Sequence, residues 1–427
     1  SRHTDVLFRC YKTTSTRQKY GGNMDYLFIS RKNVHSRYYQ ILVKRLKLDC
    51  ELYITGMPTL SSLLFLKEAC KVDFSGVLEQ QTKRKKAYHP IWKNTLLMSL
   101  YRRVQLGVER LRYAKFLSVL SVKKPSHVVI WNGRKLPNVT IAMAAKSLGI
   151  KVFYFENGLL PQTVTLDPKG VNFSSSLSQD PSFYLSFDPE NKHAFSAPDI
   201  VPRSNIKKRQ RFQSADLPDR FIFVPFQVPH DTQIVCYSSW IESMEMLYDQ
   251  VISSVKALND PELKVVFKEH PSWHKHYSSL YNKDSIGQFA NGNSTVELMS
   301  KAEAVVTINS TVGMESLLLN QRVITLGDAC YNIDGLVLHA NTASQLTECL
   351  LQIQQGWQMN TQLCEKYFSY LEYVYCIPRI AKDDPEHIEA VRQRLLEEDV
   401  FSRTQNGVST SLSRSQMPTG ALELSRA

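Results

Sequence analysis

Zinc-ligand spacing is missing from this chain. Its eight cysteines, at positions 10, 50, 70, 236, 330, 349, 364 and 376, form no CxxC and no Cys/His pair at metal-binding distance, which argues against a zinc finger or ribbon. Scattered thiols read as reduced, so a cytoplasmic protein is expected, with peripheral contact at the inner membrane as the alternative. No uninterrupted apolar run of about 18 residues is present to cross a bilayer, and the opening residues do not read as a secretory leader. GxGxxG and GxxxxGK followed by Ser or Thr are both absent, so neither a dinucleotide fingerprint nor a phosphate-cradling P-loop is supported. There is no Asp-x-Asp to clamp a metal diphosphate, and no internal repeat.

What is present is ordinary globular material. Hydrophobic residues make up 43% and charged residues 22% of 427, enough length for two domains with a sizeable core. Fifty-two basic against 40 acidic residues give a formal charge of +12, which suits nucleotides, acidic sugars, a lipid surface or nucleic acid as partners. Nucleic acid is not expected, because the basic residues do not interleave with aromatics in any recognisable module.

Two α/β series are legible. His127 to Trp131 reads as a strand, Asn138 to Leu148 as a helix stopped by Gly149, and Lys151 to Phe155 as a second strand, a βαβ unit with parallel pairing. Before it runs a helical pattern with Leu97, Tyr101, Val104, Val108 and Leu111 on one stripe, expected to be a packed helix with a solvated basic face rather than a membrane-surface helix. After a Pro/Lys/Arg-rich stretch come strands at Phe221 to Gln227, Lys264 to Lys268, Ala304 to Ile308 and Arg322 to Leu326, with helices near Ser239 to Leu258 and from Gly313. The expected division is an N-terminal Rossmann-like domain over 1–200, a linker over 201–219, a C-terminal Rossmann-like domain over 220–345, helices over 346–400 and a disordered tail or linker over 401–427.

The chemistry collects at strand ends, where open α/β sheets bind ligands. Lys268, His270 and Pro271 follow one strand; Ser310, Thr311, Gly313 and Glu315 follow another. Together they read as two halves of a nucleotide-phosphate site, with hydroxyls and backbone N–H groups at a helix start facing cationic or donor side chains. The plain alternatives are a strand-end turn for His270, an N-cap for Ser310 and Thr311, and a solvated helix position for Glu315 rather than a ribose acceptor. Glu156 ends an aromatic run before the turn pair Asn157-Gly158 and is either an acid/base or a turn cap. Asp231 follows the Phe221 strand as either an ordinary turn residue or a group lining a cleft. Asn132 and Arg134 sit at another strand end, and Arg134 suits either a sugar carboxylate or a surface salt bridge, with Lys169 a weaker case. His270, His274 and His276 lack a third local ligand type, so no metal is expected.

Several strings carry a resemblance. Trp131-Asn132-Gly133, Phe155 to Pro161, Asp167 to Asn172, Gln227 to Gln233 and the motifs around His270 and Ser310 resemble, in order, the capsule-synthesis family of retaining β-Kdo transferases, including the Kdo-transferase module of an O-antigen chain-terminating glycosyltransferase. Kdo is 3-deoxy-D-manno-oct-2-ulosonic acid. The His270 and Ser310 surroundings are also similar to bacterial sialyltransferases. The resemblance implies a GT-B fold with two Rossmann-like domains facing a cleft, an acceptor-side N-terminal half, CMP-β-Kdo as donor, no metal or other cofactor, and a glycan or glycolipid acceptor. It further implies Asp231 as nucleophile, Glu156 as acid/base, and Asn132, Arg134, Asn157, Gly158, Lys169 and Gln233 as substrate contacts. The rival expectations are an inverting CMP-sialic acid transferase, a CDP-glycerol glycerophosphotransferase, or a non-catalytic glycan-binding subunit.

Overall fold

The computed structural model describes residues 24–31, 35–187 and 212–405. Its framework is two six-stranded sheets. The first contains β1 (Tyr26–Ser30), β2 (Cys50–Ile54), β3 (His127–Trp131), β4 (Lys151–Asn157) and β5 (Thr163–Asp167); the second contains β6 (Phe221–Pro225), β7 (Lys264–Lys268), β8 (Gly287–Phe289), β9 (Ala304–Thr307), β10 (Val323–Thr325) and β11 (Leu338–His339). β12 (Ile377–Pro378) returns to the first sheet, giving the orders β12-β5-β4-β3-β1-β2 and β11-β10-β9-β6-β7-β8. This is the α/β architecture of two Rossmann-like units that the GT-B expectation describes.

The strands are near-continuous apolar runs because helices cover both sheet faces. Val128, Val129 and Ile130 in β3, and Val305 and Val306 in β9, are fully buried, each apolar side chain contributing about 1.5–3 kcal/mol relative to exposure. The expected βαβ unit forms with His127 paired in parallel to Lys151, around the helix Asn138–Ser147. Ala142, Ala144 and Ala145 are small enough to let that helix lie close to the sheet. Gly149 ends it at φ +72°, a left-handed position that costs a residue without Cβ little.

The long helix runs Thr95–Lys123, but its inward face is Met98, Tyr113, Phe116, Leu117 and Leu120, while Val104, Val108 and Leu111 of the expected stripe are exposed. The helix is apolar on two opposite sides, and spacing alone cannot say which side meets the core.

The C-terminal segment stitches the units together. Residues 201–211 of the expected linker lie outside the described residues; beyond them Ala215 is pinned to Asn293 by bonds of 2.8 and 3.1 Å. The helix Thr361–Tyr370 packs against Pro181–Leu185 in one apolar cluster with Met314 and Leu317. Ile377 then pairs with Val164, and the helix Pro385–Leu395 buries Ile388, Val391 and Leu395 against Tyr26 and Tyr38. Order also extends past residue 400, into ground expected to be tail: the helix Val400–Gln405 buries Phe401, and Arg394 stacks 4.1 Å over that ring. Residues 406–427 lie outside the described residues.

Arg394 is the polar pin of this return. It is 1% exposed, donates to the carbonyls of Leu166 at 2.9 Å and Val374 at 2.8 Å, and pairs with Asp399. Arg394→Ala leaves those carbonyls without donors, so unfolding in urea should show a loss of about 3–5 kcal/mol. A loss below about 1 kcal/mol would mean that the return is held by its apolar contacts alone.

Candidate functional site

The strand order reverses between β1 and β3 in the first sheet and between β6 and β9 in the second. Neighbouring strands there send their chains to opposite sides, and the divergence opens a crevice beyond their carboxyl ends. Asn132, Glu156 and Asn157 stand at the first of these points and Asp231 and Ser310 at the second, while His270 and Pro271 follow a third strand, β7.

Beyond β1 and β3 lies a cavity of about 290 Å³ whose lining includes Arg31, His35, Trp131, Asn132, Lys135 and Glu156. Glu156 is held from three directions: Trp131 Nε1 donates at 3.2 Å, the backbone N–H of Asn157 at 2.9 Å, and Asn132 Nδ2 donates to the other oxygen. Asn132 takes a left-handed φ of +64°, and its Oδ1 accepts from the backbone N–H of Arg134 at 3.0 Å. The carboxylate is thereby aimed rather than left to rotate. His35 stacks flat on Trp131 at 3.8 Å. Burial lowers its pKa, and Arg379, Arg31 and Lys382 lower it further; the ring is a neutral wall of a site ringed by cations. Sequence reading missed Arg31, His35 and Lys135, for β1 carries no motif and joins β3 across almost a hundred residues.

Beyond β6 and β9 the decisive feature is a buried amide pair. Gln227 Nε2 donates to Asn309 Oδ1 at 3.1 Å, while Gln227 Oε1 accepts from the Asn309 backbone N–H at 3.2 Å and from Thr307 Oγ1 at 3.3 Å. Asn309 Nδ2 in turn donates to the carbonyl of Gln233 at 2.8 Å. The pair ties the loop after β6, which carries Asp231, to the loop after β9, which carries Ser310. Asp231 caps the helix Thr232–Tyr237 by accepting from the Gln233 N–H at 2.9 Å. Ser310 caps Thr311–Leu318 by accepting from the Val312 N–H at 3.1 Å. The capping alternative is thus realised for Ser310, and Asp231, expected as a turn residue or a group lining a cleft, is a helix cap as well. Glu315 and Thr311 lie half-exposed on the second of these helices. Gly313 is buried; a Cβ there would stand 2.4 Å from Tyr331 Oη, so the glycine serves helix packing.

The third strand end is built around a residue not singled out in the sequence. Glu269 is 5% exposed and accepts from the Tyr277 N–H at 2.6 Å, Tyr281 Oη at 2.9 Å and His276 Nδ1 at 2.6 Å. It fixes the loop that presents His270 and Pro271. His270 Nδ1 accepts from the Ser272 N–H at 3.2 Å, which leaves the ring proton of a neutral imidazole on Nε2. Lys268 does not face the crevice as expected: its ammonium is taken by the carbonyls of Asn291 and Asn293. Burial lowers its pKa, partly offset by Glu297.

The remaining predicted contacts divide. Arg134 bridges the units, donating to Ser174 Oγ and lying 5.8 Å over the Tyr237 ring. Its expected role toward a sugar carboxylate competes with this structural one. Asn157 lines the first cavity. Gly158 has its Cα against Thr163, where a Cβ would meet Oγ1 at 1.7 Å, making it a turn requirement between β4 and β5. Lys169 is exposed, its N–H donating to Asp167 Oδ1 at 2.7 Å. Gln233 Oε1 is buried without a partner among the described residues.

Residues 200–353, spanning this second crevice, match the family of capsule polysaccharide biosynthesis proteins. The chain carries a capsule-synthesis domain. A curated relative, Protein FixF of Sinorhizobium fredii, is 37% identical over 270 residues, covering 63% of this chain and 64% of its own length. The capsule polysaccharide export protein KpsS of Escherichia coli is 26% identical over 290 residues, covering 53% of this chain and 72% of that protein. Among solved structures, Thermosulfurimonas dismutans KpsC, beta Kdo 2,7 transferase, is similar at 14% identity and a TM-score of 0.45, covering 87% of this chain and 99% of that one. The match over residues 200–353 supports the capsule-synthesis resemblance read from the motifs.

In the capsule-synthesis domain the amide pair should be testable by stability alone. Gln227→Leu preserves bulk but strands the Asn309 N–H in the core, a cost of about 1–3 kcal/mol, visible in urea unfolding. A change within about 0.5 kcal/mol would show that the two loops are held independently.

Proposed function

We propose that this chain is a retaining glycosyltransferase that moves β-Kdo from CMP-β-Kdo to a hydroxyl of a glycan or glycolipid in bacterial surface polysaccharide synthesis. The observation that carries the reading is the amide pair of Gln227 and Asn309, which holds a carboxylate, Asp231, and a capped helix start, Ser310, at one topological switch point. A nucleotide phosphate suits the helix start and the Nε2–H of His270. The motif resemblance and the capsule-synthesis match support the donor class.

In this mechanism Asp231 attacks the anomeric carbon with the oxygen not spent on the cap, and the bond to the CMP phosphate breaks as the glycosyl ester forms. The acceptor hydroxyl then attacks from the opposite side, its proton passing to Glu156 as Asp231 leaves. Two inversions retain the configuration. Lys135 lines the Glu156 cavity, and after burial its charge is among those that lower the pKa of His230, the neighbour of Asp231. The cationic lining of that cavity suits an anionic sugar or acceptor.

Asp231→Ala should abolish transfer while leaving CMP affinity nearly intact, and wild type given donor without acceptor should gain one Kdo on the peptide containing Asp231 by mass spectrometry. Near-normal activity of the variant, or a product of inverted configuration, removes the mechanism. Release of nucleotide from CDP-glycerol but not from CMP-Kdo would instead favour glycerophosphate transfer.

Glu156→Gln should keep donor binding and lose turnover by about 10²–10⁴-fold. Transfer should persist in EDTA, since the phosphate is met by protein donors; loss in chelator with rescue by Mg²⁺ would contradict this part of the reading.

A further inference from the structure

The helix Thr95–Lys123 shows a second apolar face to the outside. Leu96 is 82% exposed, and Leu100, Val104, Val108 and Leu111 follow it, all exposed. At about 100° per residue these five fall within an arc of about 120°, opposite the buried Met98, Tyr113, Phe116 and Leu120. Arg103 and Arg110 border one side of the stripe by the same reckoning, and Arg112 borders the other.

A neighbouring segment prolongs the stripe. Lys115 Nζ donates to the Gly56 carbonyl and Ser118 Oγ to Ser61 Oγ at 3.2 Å, and both residues lie on the stripe's arc, so the short helix Leu60–Phe65 sits on the same side of the long one. The short helix and the residues just before it add Met57 and Leu60, each 86% exposed, and Leu64. The exposed stripe runs from Leu96 to Leu111, roughly 24 Å of helix, and continues onto the neighbouring segment where that covers Lys115 and Ser118. Soluble monomers rarely leave so long an apolar face uncovered.

Charge identifies what covers it. Residues 75–123 hold eleven lysines and arginines against two glutamates, Glu79 and Glu109, and Glu109 is buried and bonded to Arg112 and Thr140. Of the basic residues, Arg103 and Arg110 stand along one edge of the stripe, whereas a cavity whose lining includes Lys86, Lys93, Met98 and Arg102 opens on the opposite side of the helix. A second copy pairing through this face would set like charges against each other. A surface with apolar depth and anionic headgroups meets both features at once.

The geometry points to this face as a docking surface for an anionic lipid bilayer, with Leu96, Leu100, Val104, Met57, Leu60 and Leu64 entering the acyl boundary and the bordering Arg103 and Arg110 meeting lipid phosphates. No described helix is long and apolar enough to cross a membrane, so the contact lies in the interface plane. The surface is independent of the reaction proposed above, because it uses none of that site's residues.

Flotation of the full chain with vesicles of phosphatidylglycerol and phosphatidylcholine, against phosphatidylcholine alone, tests it. Wild type should float with the anionic vesicles and release as salt rises. R103Q/R110Q should bind at least about tenfold more weakly, since each basic residue near such a surface contributes about fivefold. L96E/L100E/V104E should lose vesicle binding while keeping the wild-type melting temperature, as these side chains are exposed; should that variant melt early, M57E/L60E on the neighbouring segment gives the same reading. Absence of wild-type flotation, flotation unaffected by the apolar changes, or a wild-type dimer in sedimentation that L96E/L100E/V104E disperses would each overturn the proposal.

Discussion

Two primary amides buried side by side govern the candidate site. A lone amide in a protein core is costly, because its donors and acceptor must be matched without water. Gln227 and Asn309 answer each other's needs and also take up a threonine hydroxyl, a backbone N–H and the Gln233 carbonyl. Since those partners lie on the chains leaving β6 and β9, satisfying the amides fixes where Asp231 and Ser310 stand. The chemistry at the crevice then depends on caps whose positions are already set.

The carboxylates of the molecule show how environment assigns work. Glu269 is buried with three donors and spends its charge on holding a loop. Glu156 also has three donors yet opens onto a cavity with Arg31, Lys135 and His35. Asp231 is half-exposed and gives one oxygen to a helix cap. The units bearing Glu156 and Asp231 are held together by Tyr237 to Ser174, at 2.9 Å, by Arg84 to Cys236 Sγ at 3.7 Å, and by the apolar cluster under the returning C-terminal helices. Arg394 locks that return, which ties a residue far from the crevice to the relation between its two walls.

Much of the fold was legible because strands buried on both faces must be uninterrupted apolar runs: β3, β4, β6, β7 and β9 stand within a residue or two of where composition put them. β1 and β2 carried no such expectation, and the return of β12 depends on two residues pairing with Thr163 and Val164, a contact no local pattern encodes. The helix Thr95–Lys123 shows a different limit, for both its faces are apolar and only packing decided which one is inside.

By itself the sequence determined the strand ends, the caps and the residue types available there, since these follow from local backbone preference and side-chain chemistry. Tertiary structure decided which of those residues act together. Lys268 turned to two carbonyls, Arg134 to the other unit and Gly313 to Tyr331, while Arg31 and His35 joined Trp131 and Glu156. The reason is that strand order, not chain order, sets which loops meet, and strand order is chosen by the packing of whole sheets.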